Sequence, residues 1–214
     1  MIATKRVLMR GLMTLALTLG ASLPGFAADA SAPDLLIRQL SLETLEALKS
    51  DKAVQAGDVQ KIIAMVDTKV MPHVNFQRMT ASAVGRFWRQ ATPEQQKRLQ
   101  DEFKTLLVRT YAGALTQVKE QTIALKPLRA SADDTEVVVR TEIRGKGDPI
   151  QLDYRLEKAG SVWKIYDVNV LGIWLADQYR NSFAQEIGAN GIDGLIKSLA
   201  DKNQKAAAAP AAKS

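Results

Sequence analysis

The residues of this sequence that are able to do chemistry are few, and they do not converge. Among 214 residues there is one histidine, His73, and no cysteine. A Ser-His-acid triad would have to be built around His73, and no serine occupies a G-x-S-x-G turn. No H-E-x-x-H segment or other metal-ligand spacing occurs. Placed on a turn after Pro72, His73 reads as a loop or interface residue. Gly145-Lys146-Gly147 looks like a phosphate loop only superficially. It lies between two alternating segments with no helix behind it, which makes it a hairpin turn.

Asp167 is the acid in the most unusual setting. It falls inside an apolar segment and is expected to share a strand face with Trp163 and Ile165. Desolvation there would raise its pKa and suit a general acid. The other reading makes Asp167 an anchor for the element that follows, through Arg180. The expectation is a protein with no catalytic residue, no metal ligand and no cofactor.

What the chain has in quantity is apolar wall, carried by elements that can be read in order. Pro33 to Leu48 is expected as a helix, with Leu36, Leu40, Leu45 and Leu48 near one stripe. Gly57-Asp58 opens a second, in which Val59, Ile62, Ile63, Val66 and Val70 recur at helical spacing until Pro72. His73 to Phe76 forms a loop, and a short helix holds Met79, Val84, Phe87 and Trp88. Thr92-Pro93-Glu94-Gln95 is a capping box with proline in the first turn. It starts the longest expected helix, whose apolar face runs through Leu99, Phe103, Leu107, Tyr111 and Leu115.

The period then changes to two. Thr122–Arg129 is a strand interrupted by Pro127, which places it at an edge or a bulge. Thr135–Arg144 alternates with Val137, Val139, Thr141 and Ile143 on one face. Beyond the Gly145–Asp148 hairpin, Ile150, Leu152, Tyr154 and Leu156 continue that face, and Val162–Leu171 is the last strand. A helix from about Gly172 carries Leu175, Tyr179, Phe183 and Ile187. Gly188 to Gly191 breaks it before a last short helix with Ile192, Leu195, Ile196 and Leu199. Helices, strands, then helices is an α+β order, with several helices on an antiparallel sheet that keeps one wet face.

The ends bound the compartment. Lys5, Arg6 and Arg10 form a basic start, and an apolar stretch from Leu12 to Leu23 follows, too short to span ~30 Å of bilayer. Gly25-Phe26-Ala27 presents small residues where a signal peptidase reads, so residues 1–27 are expected to be a signal peptide cut after Ala27, or after Ala30. The alternative is an uncleaved anchor. Losing this leader lowers the formal charge from +6 to +3. No Lys/Arg stripe of the kind that tracks a phosphate backbone remains, which speaks against nucleic acid. Without cysteine, an exported chain is neither a disulfide scaffold nor a thiol oxidoreductase. Residues 202–214, rich in Ala, Lys and Pro, are expected to be a disordered tail. Periodicity alone leaves open whether the apolar faces fill a core or line a pocket.

Trp163-Lys164-Ile165-Tyr166-Asp167-Val168-Asn169-Val170, Gly172-Ile173 and Tyr179-Arg180-Asn181-Ser182-Phe183 resemble the C-terminal signature of the MlaC family of periplasmic phospholipid-binding proteins. Gly191-Ile192-Asp193-Gly194-Leu195-Ile196 is similar to its closing segment. Gly85-Arg86-Phe87-Trp88-Arg89, Thr92-Pro93-Glu94-Gln95-Gln96 and Leu106-Leu107-Val108-Arg109-Thr110-Tyr111 resemble its middle. One departure is Trp174, where many members have serine.

The resemblance implies a lipid-binding domain over 28–201, with a deep apolar pocket between the helices and a curved sheet, and phospholipid as cargo. It implies a monomeric carrier that transiently meets an outer-membrane lipoprotein–porin complex and an inner-membrane lipid-transport complex, and so maintains outer-membrane lipid asymmetry. The pocket wall is expected from Phe76, Val84, Leu107, Tyr111 and Leu115 on the helices, and from Val139, Ile143, Leu152 and Tyr154 on the sheet. Val170, Ile173 and Trp174 are expected to join it at the strand–helix junction, with Ile173 pointing between sheet and helices. Rival readings are a polypeptide-binding adaptor or chaperone and a small lipid-processing enzyme using Asp167.

Overall fold

The computed structural model describes residues 32–131 and 133–208. The expected leader, both cleavage positions and residues 209–214 of the tail lie outside that range. Helix α1 spans Pro33–Ser50, with proline in the first turn, and buries Ile37, Leu40 and Leu48. It ends at Asp51, whose carboxylate accepts from the Ala53 and Val54 amides and so starts α2, Lys52–Gln55. Asp58 caps α3, Val59–Met65, in the same way. The chain then loosens into a π-helical turn, Val66–Val70, and tightens into a 3-10 turn, Met71–His73. Asn75 caps α4, Phe76–Val84, which a 3-10 turn over Gly85–Gln90 follows.

The expected capping box is present at α5, Pro93–Thr116. The Gln95 amide donates to Thr92 Oγ1 at 3.2 Å, and the Thr92 amide donates to Gln95 Oε1 at 3.0 Å. Five antiparallel strands follow in sequence order, β1 (Thr122–Leu125), β2 (Glu136–Arg144), β3 (Ile150–Ala159), β4 (Val162–Val170) and β5 (Ile173–Trp174), and the sheet stays open. β1 stops at Leu125, short of Arg129, because Pro127 cannot donate to the ladder.

The helix expected from Gly172 begins only at Leu175, because Ile173 and Trp174 first pair back on β4 as the unforeseen strand β5. This last helix, α6, spans Leu175–Ala208 and kinks at Gly191, whose φ is 72°. It runs through Lys202 to Ala208, so the expected disordered tail does not start at Lys202. Asn203 gives a physical reason: its amide donates to the backbone and side chain of Glu102 and holds that stretch against α5. Among the described residues no helix is long and apolar enough to cross a membrane.

One irregularity reorders the last strand. Arg155 faces Asp167 across β3 and β4, while its neighbour Leu156 faces Ile165, so Tyr166 is the extra residue of a β-bulge. Directly opposed residues share a sheet face. Trp163 and Ile165 therefore stand with Leu156 on the apolar face, Val168 and Val170 join them with Tyr154 and Leu152, and Asp167 falls on the opposite face with Arg155. The expected grouping of Asp167 with Trp163 and Ile165 is corrected by that single inserted residue.

Candidate functional site

Two apolar bodies flank this sheet, and they differ in how full they are. In the first, Phe103 of α5 is wholly buried, with its ring 5.0 Å from Tyr179, 5.3 Å from Phe183 and 5.8 Å from Phe76. Val84, Leu99, Ile187 and Leu195 close around these rings. In the second, between α1 and the sheet, a cavity of about 220 Å³ remains. α1 lines it with Leu40, Ser41, Thr44, Leu45 and Leu48. Val70 and Val74 contribute from the turns before α4, and Leu115 and Val118 from the end of α5. Ile123, Ile143, Leu152, Tyr154, Ile165 and Val168 form the sheet side.

No lining side chain carries a charge. The Tyr154 hydroxyl lies near Ser41 and Thr141, and burial pushes its pKa up to about 12, so it too stays neutral at ordinary pH. The polar groups of this wall are the hydroxyls of Ser41, Thr44 and Tyr154, with no histidine, carboxylate or amine lining it beside them, and no group of metal-ligating side chains forms among the described residues. Its chemistry is exclusion of water from an apolar guest. A larger groove of about 670 Å³ on the other side of α1 is open and lined by Glu43, Glu46, Asp51, Lys61 and Lys69, which makes it a solvated surface.

The expected wall residues divide. Leu115, Ile143, Leu152 and Tyr154 meet at the cavity. Phe76 and Val84 belong to the filled helical core, and Leu107 packs on it. Tyr111 lies near Tyr179, and burial together with that neighbour raises its pKa. Val139 is buried among Ile37, Leu40 and Leu156, beside the cavity and not on its wall. Val170 stands opposite Leu152 on β4, two residues beyond Val168 and past the end of the cavity wall.

Ile173 is 55% exposed and does not point into the interior. The cause is the turn before it, where Leu171 and Gly172 take φ of 53° and 91° and fold β5 back onto β4. Trp174 pairs with Asn169 on the face opposite the cavity, and its ring lies 3.8 Å under the Arg155 guanidinium. The α1 residues, Val70, Val74, Ile123, Ile165 and Val168 were not foreseen as wall, whereas Val118 continues the apolar face expected of the longest helix. The stripe on α1 was visible, but nothing in its spacing distinguishes packing from lining.

Asp167 is 1% exposed and fully engaged. Its Oδ1 accepts from the Val168 amide at 2.9 Å and the Ala176 amide at 3.2 Å, and Arg155 Nη1 lies 3.1 Å from Oδ2. Burial raises its pKa, while the two amides and Arg155 oppose that rise. It thus anchors the start of α6, as expected of a carboxylate at a helix N-terminus. The partner is Arg155 instead of Arg180, which pairs with Asp177 at 3.0 Å and donates to the Ser82 carbonyl.

An open antiparallel sheet under helices, enclosing an uncharged cavity, defines an α+β protein built around an apolar internal site. Comparison with known proteins narrows the class. The profile of the MlaC protein family matches residues 38–201, and the chain belongs to that family. It is 28% identical over 212 residues to the toluene tolerance protein ttg2D of Pseudomonas putida, covering 95% of this chain and 96% of that one. The intermembrane phospholipid transport system binding protein MlaC of Haemophilus influenzae is 23% identical, over 79% of this chain and 81% of its own. A solved structure of a phospholipid-binding protein from Ralstonia solanacearum, in complex with a phospholipid, superposes with a TM-score of 0.77. It is 47% identical and covers 80% of this chain and 96% of its own.

Proposed function

We propose that this chain is a periplasmic phospholipid carrier that takes lipid between an outer-membrane lipoprotein–porin complex and an inner-membrane transport complex, and so maintains outer-membrane lipid asymmetry. The observation that carries the reading is an apolar wall without charge, lying between α1 and the sheet. A diacyl lipid has on the order of 30 methylenes, each worth ~0.8 kcal/mol when taken out of water, so it crosses an aqueous space very slowly unaided. A carrier needs an apolar enclosure and no catalyst. The relative that is 47% identical and holds a phospholipid supports the same cargo. The basic, apolar N-terminal stretch supports export, with the protein then free in the periplasm as a monomer. Its meetings with both complexes are transient and partly electrostatic.

The test is to purify the chain from its natural compartment without detergent, extract it with organic solvent and weigh the extract by mass spectrometry. About one phospholipid per chain, with little head-group preference, is the expected result. Lipid-free protein that also takes up nothing from liposomes overturns the carrier. Turnover of the bound lipid that is abolished by Asp167→Asn, with binding retained, would make it an enzyme.

A further inference from the structure

On the far side of α1 from the cavity, the charges of the open groove fall into two rows. This groove of about 670 Å³ has Leu42 and Ala47 on its α1 wall and Ala64 and Met65 on its α3 wall. Ala47 and Ala64 are short, and leave between the helices a space that longer side chains would close. Leu42 is 54% exposed, and Leu35, about two turns earlier on the same stripe of α1, is exposed as well. The α1 wall carries Glu43 and Glu46, and the α3 side carries Lys61 and Lys69. Among the described residues none of these four forms an ion pair, so both rows keep their charge for a guest. Asp51 is already spent, because its carboxylate caps α2. The α3 wall runs on into the π-helical turn Val66–Val70, a rare form of helix that is frequent at functional positions.

Length and charge say what fits. Leu42 to Asp51 covers ~13 Å of helix, about two and a half turns. The lining residues are helical on both walls, so an extended segment finds no ladder to join, whereas a third helix can pack on two others at ~8–10 Å. An anionic membrane is disfavoured, because the lining carries three acids against two bases. We propose that this groove receives an amphipathic helix from a partner protein. Its buried stripe is aliphatic, its flank toward Glu43 and Glu46 is basic, and its flank toward Lys61 and Lys69 is acidic. Such a helix enters in one direction only, because turning it end for end sets like charges against each other. The site is separate from the lipid cavity, and it goes beyond the carrier reading without resting on it.

The probe is a synthetic helical peptide of about 18 residues, with leucine and alanine on one stripe, lysines on one flank and glutamates on the other. Its binding to the full chain is read by fluorescence anisotropy at low and high salt, with a thermal melt and a lipid extraction beside it. Saturable binding to the parent is expected. Glu43→Lys/Glu46→Lys makes both rows basic, and is expected to weaken this peptide about tenfold at low salt and to gain a peptide with glutamates on both flanks. Ala64→Gln, at an exposed position, raises the floor and is expected to weaken binding about tenfold at either salt. Both variants are expected to melt like the parent and to hold the same lipid, which keeps this test apart from that of the carrier. No binding to the parent at about 1 mM peptide overturns the proposal, and so does binding that neither variant changes. Pelleting of the parent with phosphatidylglycerol vesicles that the variants abolish would make the groove a membrane surface. A parent dimer that they dissolve would make it a contact between two copies, and either result also overturns the partner helix.

Discussion

The body around Phe103 and the body around the cavity are built from side chains of similar hydropathy, yet one is full and the other is not. The difference is volume and shape. Phe76, Phe103, Tyr179 and Phe183 bring four rings to one point, and an aromatic ring buries ~150–250 Å². The cavity wall holds leucine, isoleucine and valine, with Tyr154 as its one ring. Aliphatic side chains facing one another from a helix and a sheet leave space that rings would have closed. An apolar pattern therefore says where water is excluded, while the distribution of rings says where protein atoms take its place.

The sharpest way to break this comparison is to empty the full side. Phe103→Ala removes a wholly buried ring and is expected to cost about 3–5 kcal/mol in urea unfolding, the range for such truncations. A cost near zero would mean that the helical body is as loose as the cavity. The next test inserts the same ring on both sides. Val84→Phe, in the helical body, is expected to cost about 1–3 kcal/mol as overpacking. Ile143→Phe, on the cavity wall, is expected to cost less than about 1 kcal/mol and to lower bound lipid sharply, because the ring takes space meant for the guest. Equal costs would show that the cavity is not usable space.

The smallest effect belongs to Tyr154. Tyr154→Phe removes the hydroxyl that lies near Ser41 and Thr141 and is expected to cost about 1 kcal/mol or less at neutral pH. At alkaline pH the sign reverses. The folded pKa of about 12 lies above the ordinary value of 10, so between them the unfolded chain loses this proton and the folded one keeps it. The parent then loses stability by about 1.4 kcal/mol per pH unit from this group, and the phenylalanine variant is spared that loss. Parallel unfolding curves for the two chains from pH 9 to 11.5 would refute it.

Much of this architecture was legible where local chemistry is self-contained. Thr92 and Gln95 announce α5, Gly145–Asp148 announces the β2–β3 hairpin, and the glycines around Gly191 announce the kink in α6. The bulge at Tyr166 was not legible. No glycine or proline marks it, and one extra residue is enough to move Asp167 and Trp174 to the face opposite the cavity. Ile173 was misplaced for a related reason, since the turn through Leu171 folds two residues back as a strand that periodicity cannot register. Of the wall, the sheet positions Ile143, Leu152 and Tyr154 followed from alternation. The α1 contribution did not, because a stripe of leucines looks the same against protein atoms as against empty space.

The pairing of α6 with α5 has a consequence for how the chain comes together. Each strand of the sheet pairs with its neighbour in sequence, so the meander can assemble from local contacts alone. The helical body cannot. Tyr179 and Phe183 must reach Phe103, and the Asn203 amide donates to Glu102 Oε2 at 2.8 Å across 101 positions of chain. Contacts between distant positions form slowly because loop closure comes before their reward. The aromatic cluster therefore stays open until the last helix has left the ribosome, so the helical body is the last part of the chain to close.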